Sequence, residues 1–213
     1  MAGGATAKDR LAFDIKGEAG VTYNYTIRSS GDLGSATVVG TGTIPGTSGE
    51  GTESLAGINL KPVTAPLPDG TLTISVQLID GTGNASGFVT NNTLILDTKP
   101  PTVALAYKIG GIAATEVKEN DVVTITAILT EPIKDTPKLK INGSGSNTVV
   151  VSEMTKVSAT EYTFDWTVGS GNGGIDFALS VGTDLSGNGI TGTPTSGASI
   201  VVDNMPPGNQ NTV

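Results

Sequence analysis

The stretch GTLTISVQLIDGTGN (Gly70–Asn84) decides how this chain folds. Leu72, Ile74, Val76 and Leu78 alternate with Thr71, Thr73, Ser75 and Gln77, the period-two pattern of a strand with one buried face. The strand runs into Asp80-x-x-Gly83-Asn84. There a glycine able to take positive φ sits between residues whose side chains hydrogen-bond nearby backbone. Alone, the stretch predicts one arm of a hairpin and its turn.

The turn occurs twice. GTDLSGN (Gly182–Asn188) carries Asp184-x-x-Gly187-Asn188, 104 residues further on. Each copy is followed by a strand, FVTNNTLIL or ASIVV, and then by Asp-x-x-Pro-Pro, in DTKPPT (Asp97–Thr102) and DNMPPG (Asp203–Gly208). This second element recurs at 106 residues, so two independent elements share nearly one offset. A period of about 105 residues is too long for a solenoid repeat and matches a whole β-sandwich domain. Pro100 and Pro101 give a stiff, non-helical junction. Domains are therefore expected over 1–98 and 99–206, with 207–213 beginning a linker to a further domain, the chain being a fragment of a longer array.

Other segments alternate in the same way. Val123, Ile125, Ala127 and Leu129 form one face of DVVTITAIL, and Tyr162, Phe164, Trp166 and Val168 one face of EYTFDWTV. Val21, Tyr23, Tyr25 and Ile27 do so in the first unit. With 30 glycines, no helical periodicity and a 37% hydrophobic content poor in aromatics, the fold class is all-β, two tandem immunoglobulin-like β-sandwich domains. Whether the first unit has a complete first strand is open, because DRLAFDIKGEAG (Asp9–Gly20) lacks the Pro-Thr-Val start of the second.

DGTLTISVQLIDGTGN…LILDTKPPTV closely resembles the tandem immunoglobulin-like repeats of large bacterial surface proteins and adhesins. Their pattern is a strand, Asp-x-x-Gly-Asn, a strand, then Asp-Thr-x-x-Pro-x-Val. DVVTITAILTEPIKDTPKLKING and TDLSGNG in the second unit resemble the same family. Asp203-Asn-Met-Pro-Pro departs from it, lacking the Thr and the later Val. The resemblance implies a cell-surface or secreted protein, adjacent repeats of the same chain as partners, and a host or surface ligand bound by a distal domain.

Composition narrows the chemistry. A net charge of −8 and a pI near 4.4 argue against nucleic acid, whose phosphates require clustered Lys and Arg. The chain has no Cys and no His, so it lacks thiolate ligands, imidazole ligands and the usual general base near neutral pH. No apolar run reaches the roughly 20 residues of a membrane span, and no membrane insertion is expected. The scattered acids Asp165 and Asp176 alternate with core positions and read as solvent-facing, so the chain is read as not an enzyme. GSGNGG (Gly169–Gly174) lacks the Lys-Ser/Thr and helix of a phosphate loop and is expected to be a flexible connection.

The acids are better suited to a hard cation. Hairpin strands are antiparallel, so Asp184 and Asp203 should lie at opposite poles of their domain, as should Asp80 and Asp97. Asp97 then leaves the first domain where the second begins, near Asp184 and Asn188. The loop LTEPIKDTP, with Glu131 and Asp135, should reach the same pole. Three carboxylates there repel one another without a counter-ion, and Ca²⁺ takes 6–8 oxygen ligands. Asp97, Glu131, Asp184 and Asn188 are the candidate interdomain calcium ligands, with Asp80, Asn84 and Asp203 as incomplete terminal equivalents. That calcium stiffens such junctions is an implication of the resemblance. Turn formation alone also accounts for Asp-x-x-Gly-Asn. The expected function is a non-catalytic structural spacer pair, the alternative a direct ligand- or carbohydrate-binding adhesion module. For that alternative Tyr23, Tyr25, Tyr107, Tyr162 and Trp166 are the aromatics to place, and alternation puts most of them in cores.

Overall fold

A computed structural model describes residues 6–7, 9–30, 37–62, 64 and 66–206. The expected linker at 207–213 lies outside them. The chain divides into two units, Met1–Thr98 and Lys99–Val213. The described residues contain strands and no helix.

The first unit contains β1 (Thr6–Ala7), β2 (Arg10–Glu18), β3 (Thr22–Ser29), β4 (Thr37–Thr43), β5 (Glu50–Asn59), β6 (Gly70–Ile79) and β7 (Val89–Leu96). Five strands form one sheet in the order β1-β7-β6-β3-β4, with β1 parallel to β7 and the rest antiparallel. The second sheet is the pair β2-β5. Leu11 of β2 packs with Ile27, Leu72, Ile74, Leu94 and Leu96 of the larger sheet, closed by Leu60 and Leu67. Ile15, Tyr23 and Ile44 form a smaller cluster. Ser75, on the outer face by alternation, is nonetheless buried, among Thr26, Arg28, Phe88 and Thr90.

The second unit contains β8 (Val103–Ile109), β9 (Ile112–Ala113), β10 (Glu116–Val117), β11 (Val122–Leu129), β12 (Lys138–Asn142), β13 (Val149–Glu153), β14 (Thr155–Lys156), β15 (Glu161–Thr167), β16 (Gly173–Ser180) and β17 (Ser199–Val202). These make two five-stranded sheets, β14-β15-β11-β8-β9 and β10-β17-β16-β12-β13. One cluster of 20 buried residues fills the space between them, and its size matters because burial of apolar area is the main stabilising term. Tyr107, Phe177 and Trp166 meet in it, with ring centroids 5.1 and 6.0 Å apart.

The turn GSGNGG is firmly held. Asn147 is fully buried, donates through Nδ2 to the carbonyls of Gly169 and Ser170, and accepts from Gly169 N at 2.7 Å. This corrects the expected flexible connection: a buried amide closes the loop from a residue that alternation does not single out.

Candidate metal centre

Both Asp-x-x-Gly-Asn turns fold alike. Asp80 N donates to Asn84 O and Gly83 N to Asp80 O; Asp184 N donates to Asn188 O and Gly187 N to Asp184 O. The glycines have φ of 90° and 93°. In each, one carboxylate oxygen accepts two backbone N–H groups, from Thr82 and Asn84 or from Ser186 and Asn188. The other oxygen accepts the Asn side-chain amide, at 2.9 and 2.8 Å. The turn chemistry read from the sequence is therefore present in full in both copies.

The surroundings differ. Asp80 and Asn84 are exposed, whereas Asp184 and Asn188 are each 1% exposed. The cause is the connection from β2 to β3 in the first unit and from β11 to β12 in the second. In the first unit it is the three residues 19–21, and in the second the eight residues 130–137. The longer loop lies against the turn: Ile133 bridges Asp184, Lys134 N donates to Thr183 O at 2.7 Å, and Lys134 Nζ donates to Leu185 O at 3.0 Å. Asp135 accepts the Thr183 hydroxyl at 2.9 Å. The hydrogen bonds from Asn84 and Thr82 hold the Asp80 carboxyl far below the usual carboxylate range.

Glu131 lies on this loop, two residues before Ile133. Asp97 stands at the end of the first unit, and Glu131 and Asp184 belong to the second. Asp184 is buried, and Asp97 and Glu131 are half-buried. Asp203 stands elsewhere. Its N–H donates to Val117 O and its carboxylate accepts Met205 N, at the end of the unit from which β16 departs. Asp184 follows the other end of β16, about 25 Å away at the rise of an eight-residue strand. Asp80 and Asp97 are likewise separated along β6, since Gly70 pairs with Leu96 while Asp80 follows Ile79.

Strand alternation did not reveal Asp69. It accepts Lys61 Nζ at 2.9 Å and the Thr98 hydroxyl at 2.9 Å, so the residue after Asp97 is tied to the first unit. Burial pushes the Asp69 carboxyl up, but the hydrogen bonds from Lys61 and Thr98 and the Lys61 charge outweigh it, and its pKa falls below the ordinary value. On the other side of the junction Pro101 O accepts Thr191 N at 3.0 Å, and Thr102 exchanges hydrogen bonds with Thr130. The Asp69-Gly70 dipeptide at the start of β6 was the available signal for Asp69.

Of the aromatics, Tyr23, Tyr107, Tyr162 and Trp166 are buried and Tyr25 is half-buried. Asp165 and Asp176 are exposed. No helix among the described residues is long and apolar enough to cross a membrane.

No protein-family model matches the sequence, and no curated protein matches it. Among solved structures, the chain is similar to a tetra-tandem repeat in the extending region of a large adhesion protein, at 18% identity and a TM-score of 0.34. That match covers 92% of this chain and 50% of the other, so this chain spans half the length of that structure. It is also similar to the C-terminal domain of the antigen I/II-family protein AspA of Streptococcus pyogenes, at 12% identity and a TM-score of 0.40, covering 94% of each chain.

Proposed function

We propose that this chain is a pair of non-catalytic, immunoglobulin-like structural repeats from an extracellular adhesin-like surface protein. Repetition gives length to a spacer that holds a distal module away from the envelope. A calcium ion held by Asp97, Glu131 and Asp184, with Asn188 as a neutral oxygen donor, stiffens the connection.

The duplicated order of Asp-x-x-Gly-Asn and Asp-x-x-Pro-Pro carries this reading. The donor set is hard oxygen throughout, in a chain with no Cys or His. Bound Ca²⁺ would supply the positive charge that offsets three carboxylates. The chain's own residues prepare the position: the turn fixes both Asp184 oxygens before any cation arrives, and the Ile133 bridge holds the Glu131 loop against it. The duplicated motif order and the resemblance of both units to adhesin repeats support the spacer role. The burial of most aromatics disfavours a sugar-binding platform.

Calorimetry and small-angle scattering, with Ca²⁺ and then with excess chelator, test the reading. Calcium at about 100 times Kd should stabilise the chain by about 2.7 kcal/mol and reduce its flexibility. Glu131→Gln should weaken both responses. If chelator leaves melting and scattering unchanged, the calcium part fails. Specific binding on a glycan array would overturn the spacer role.

A further inference from the structure

Among the described residues, the two units share a plan except at the edges of one sheet. The sheet β1-β7-β6-β3-β4 corresponds to β10-β17-β16-β12-β13, down to the parallel pairing of Thr6 and Ala7 with Ile95 and Leu96, matched by Glu116 and Val117 with Val201 and Val202. The pair β2-β5 corresponds to β11-β15. In the second unit β11 has a further neighbour, β8, paired with it from Val103↔Leu129 to Ile109↔Val123. Among the described residues of the first unit, β2 has no such neighbour.

In the second unit β8 lies between β11 and the segment 191–197. Leu105 N donates to Ser196 O, Thr195 N to Val103 O, and the Tyr107 hydroxyl to Gly197 O. Its inward residues Val103, Leu105 and Tyr107 are buried, with Tyr107 against Phe177 of β16. The first unit has the same three walls around a cavity of about 250 Å³. Phe13 and Ile15 of β2 form one side, Ser86, Gly87 and Val89 the other, and Ile74, Val76 and Leu78 of β6 the floor. Val89 is 69% exposed and its neighbour Phe88 64%. An apolar groove beside a strand edge that has no neighbour among the described residues is shaped for another strand.

We propose that this groove is a strand-acceptor site. Its occupant is an extended segment with apolar residues at alternate positions, antiparallel to β2 as β8 is to β11. The segment belongs to the same polypeptide, joined ahead of β1 as β8 precedes β10. The chemistry of the occupant is set by β8: inward Val, Leu and Tyr, small or polar residues outward, and a backbone that pairs with β2.

The probe is a peptide copying Pro101–Ile109, PTVALAYKI, tested in trans on the whole chain and also fused ahead of residue 1 with the six-residue spacing that separates β8 from β10. Hydrogen exchange and calorimetry are the readouts. The fused strand should slow exchange of outward-edge amides of β2 by ~10-fold or more, and raise the first unit's melting temperature by about 5 °C. The peptide in trans should protect the same amides more weakly, because tethering raises its effective concentration. A fused copy carrying Leu105→Lys and Tyr107→Lys should do neither. Equal effects from the two fused copies, or protection away from β2, would overturn the strand-acceptor assignment. Protection by the free peptide without any effect of the fused strand would overturn the same-chain source.

Discussion

Asp80 and Asp184 make the same turn with the same hydrogen bonds, yet one is exposed and the other buried. The motif sets only the local geometry, and its environment comes from the neighbouring connection, three residues long in the first unit and eight in the second. A similar contrast holds for the cores. The second unit encloses one cluster between two five-stranded sheets, while the first divides its buried residues between two smaller clusters under a two-stranded sheet. A repeat in sequence is thus not a repeat in core packing. Calorimetry should show two transitions, with the first unit melting at the lower temperature.

Strand β8 is the largest structural difference between the units, so damage to it should bring them together. Leu105 is 6% exposed in the second core. Leu105→Ala should cost about 2–5 kcal/mol through lost burial and the cavity left behind, and lower the upper transition alone. An equal shift in both transitions would mean that the units do not unfold independently.

The turns give a second contrast. Asp184→Ala leaves Ser186 N, Asn188 N and the Asn188 side-chain amide without their acceptors in a buried place. It should destabilise the second unit by about 3 kcal/mol in calcium-free buffer. Asp80→Ala removes the same bonds where water replaces them, and its effect on the lower transition should be much smaller. Similar losses would mean that burial does not distinguish the two turns.

Strand directions made the poles legible in advance. Alternation in GTLTISVQLI and DVVTITAIL gave the strands, antiparallel pairing sent Asp184 and Asp203 to opposite ends, and strand order brought the Glu131 loop to the Asp184 turn. The metal remains a proposal at that position. Asn147 and Asp69 were not legible, because each acts across the chain, on residues 22 and 29 positions away, through hydrogen bonds that leave no periodic trace. That β2 has no counterpart of β8 beside it among the described residues was visible only as the absence of a Pro-Thr-Val start, and only the pairing in the second unit shows which edge is concerned.

Acid should act on the first unit through Asp69 and Asp80. Both carboxyls titrate below their ordinary value in the folded chain, held by hydrogen bonds that favour the charged form. Their stabilisation is complete above the unfolded pKa of about 4 and is lost as pH falls through the lower folded values. The lower transition should therefore drop on acidification from about pH 4 to pH 2. Asp69→Asn should flatten that drop and cost about 1 kcal/mol at neutral pH, since the Lys61 pair is only partly buried. An unchanged pH slope in this variant would remove Asp69 from the account.

The smallest effects should be equal in the two units. Gly83 and Gly187 have φ near 90°, and a Cβ added to either would meet nothing within 4 Å. Alanine at either position pays only the conformational penalty of a side chain in the left-handed region, about 1 kcal/mol. Gly83→Ala should lower the first transition and Gly187→Ala the second by the same free energy, although one turn is exposed and the other surrounds a buried carboxylate. If Gly187→Ala costs appreciably more, the buried turn depends on its loop for more than environment, and the two copies are no longer one conformational unit placed in two settings.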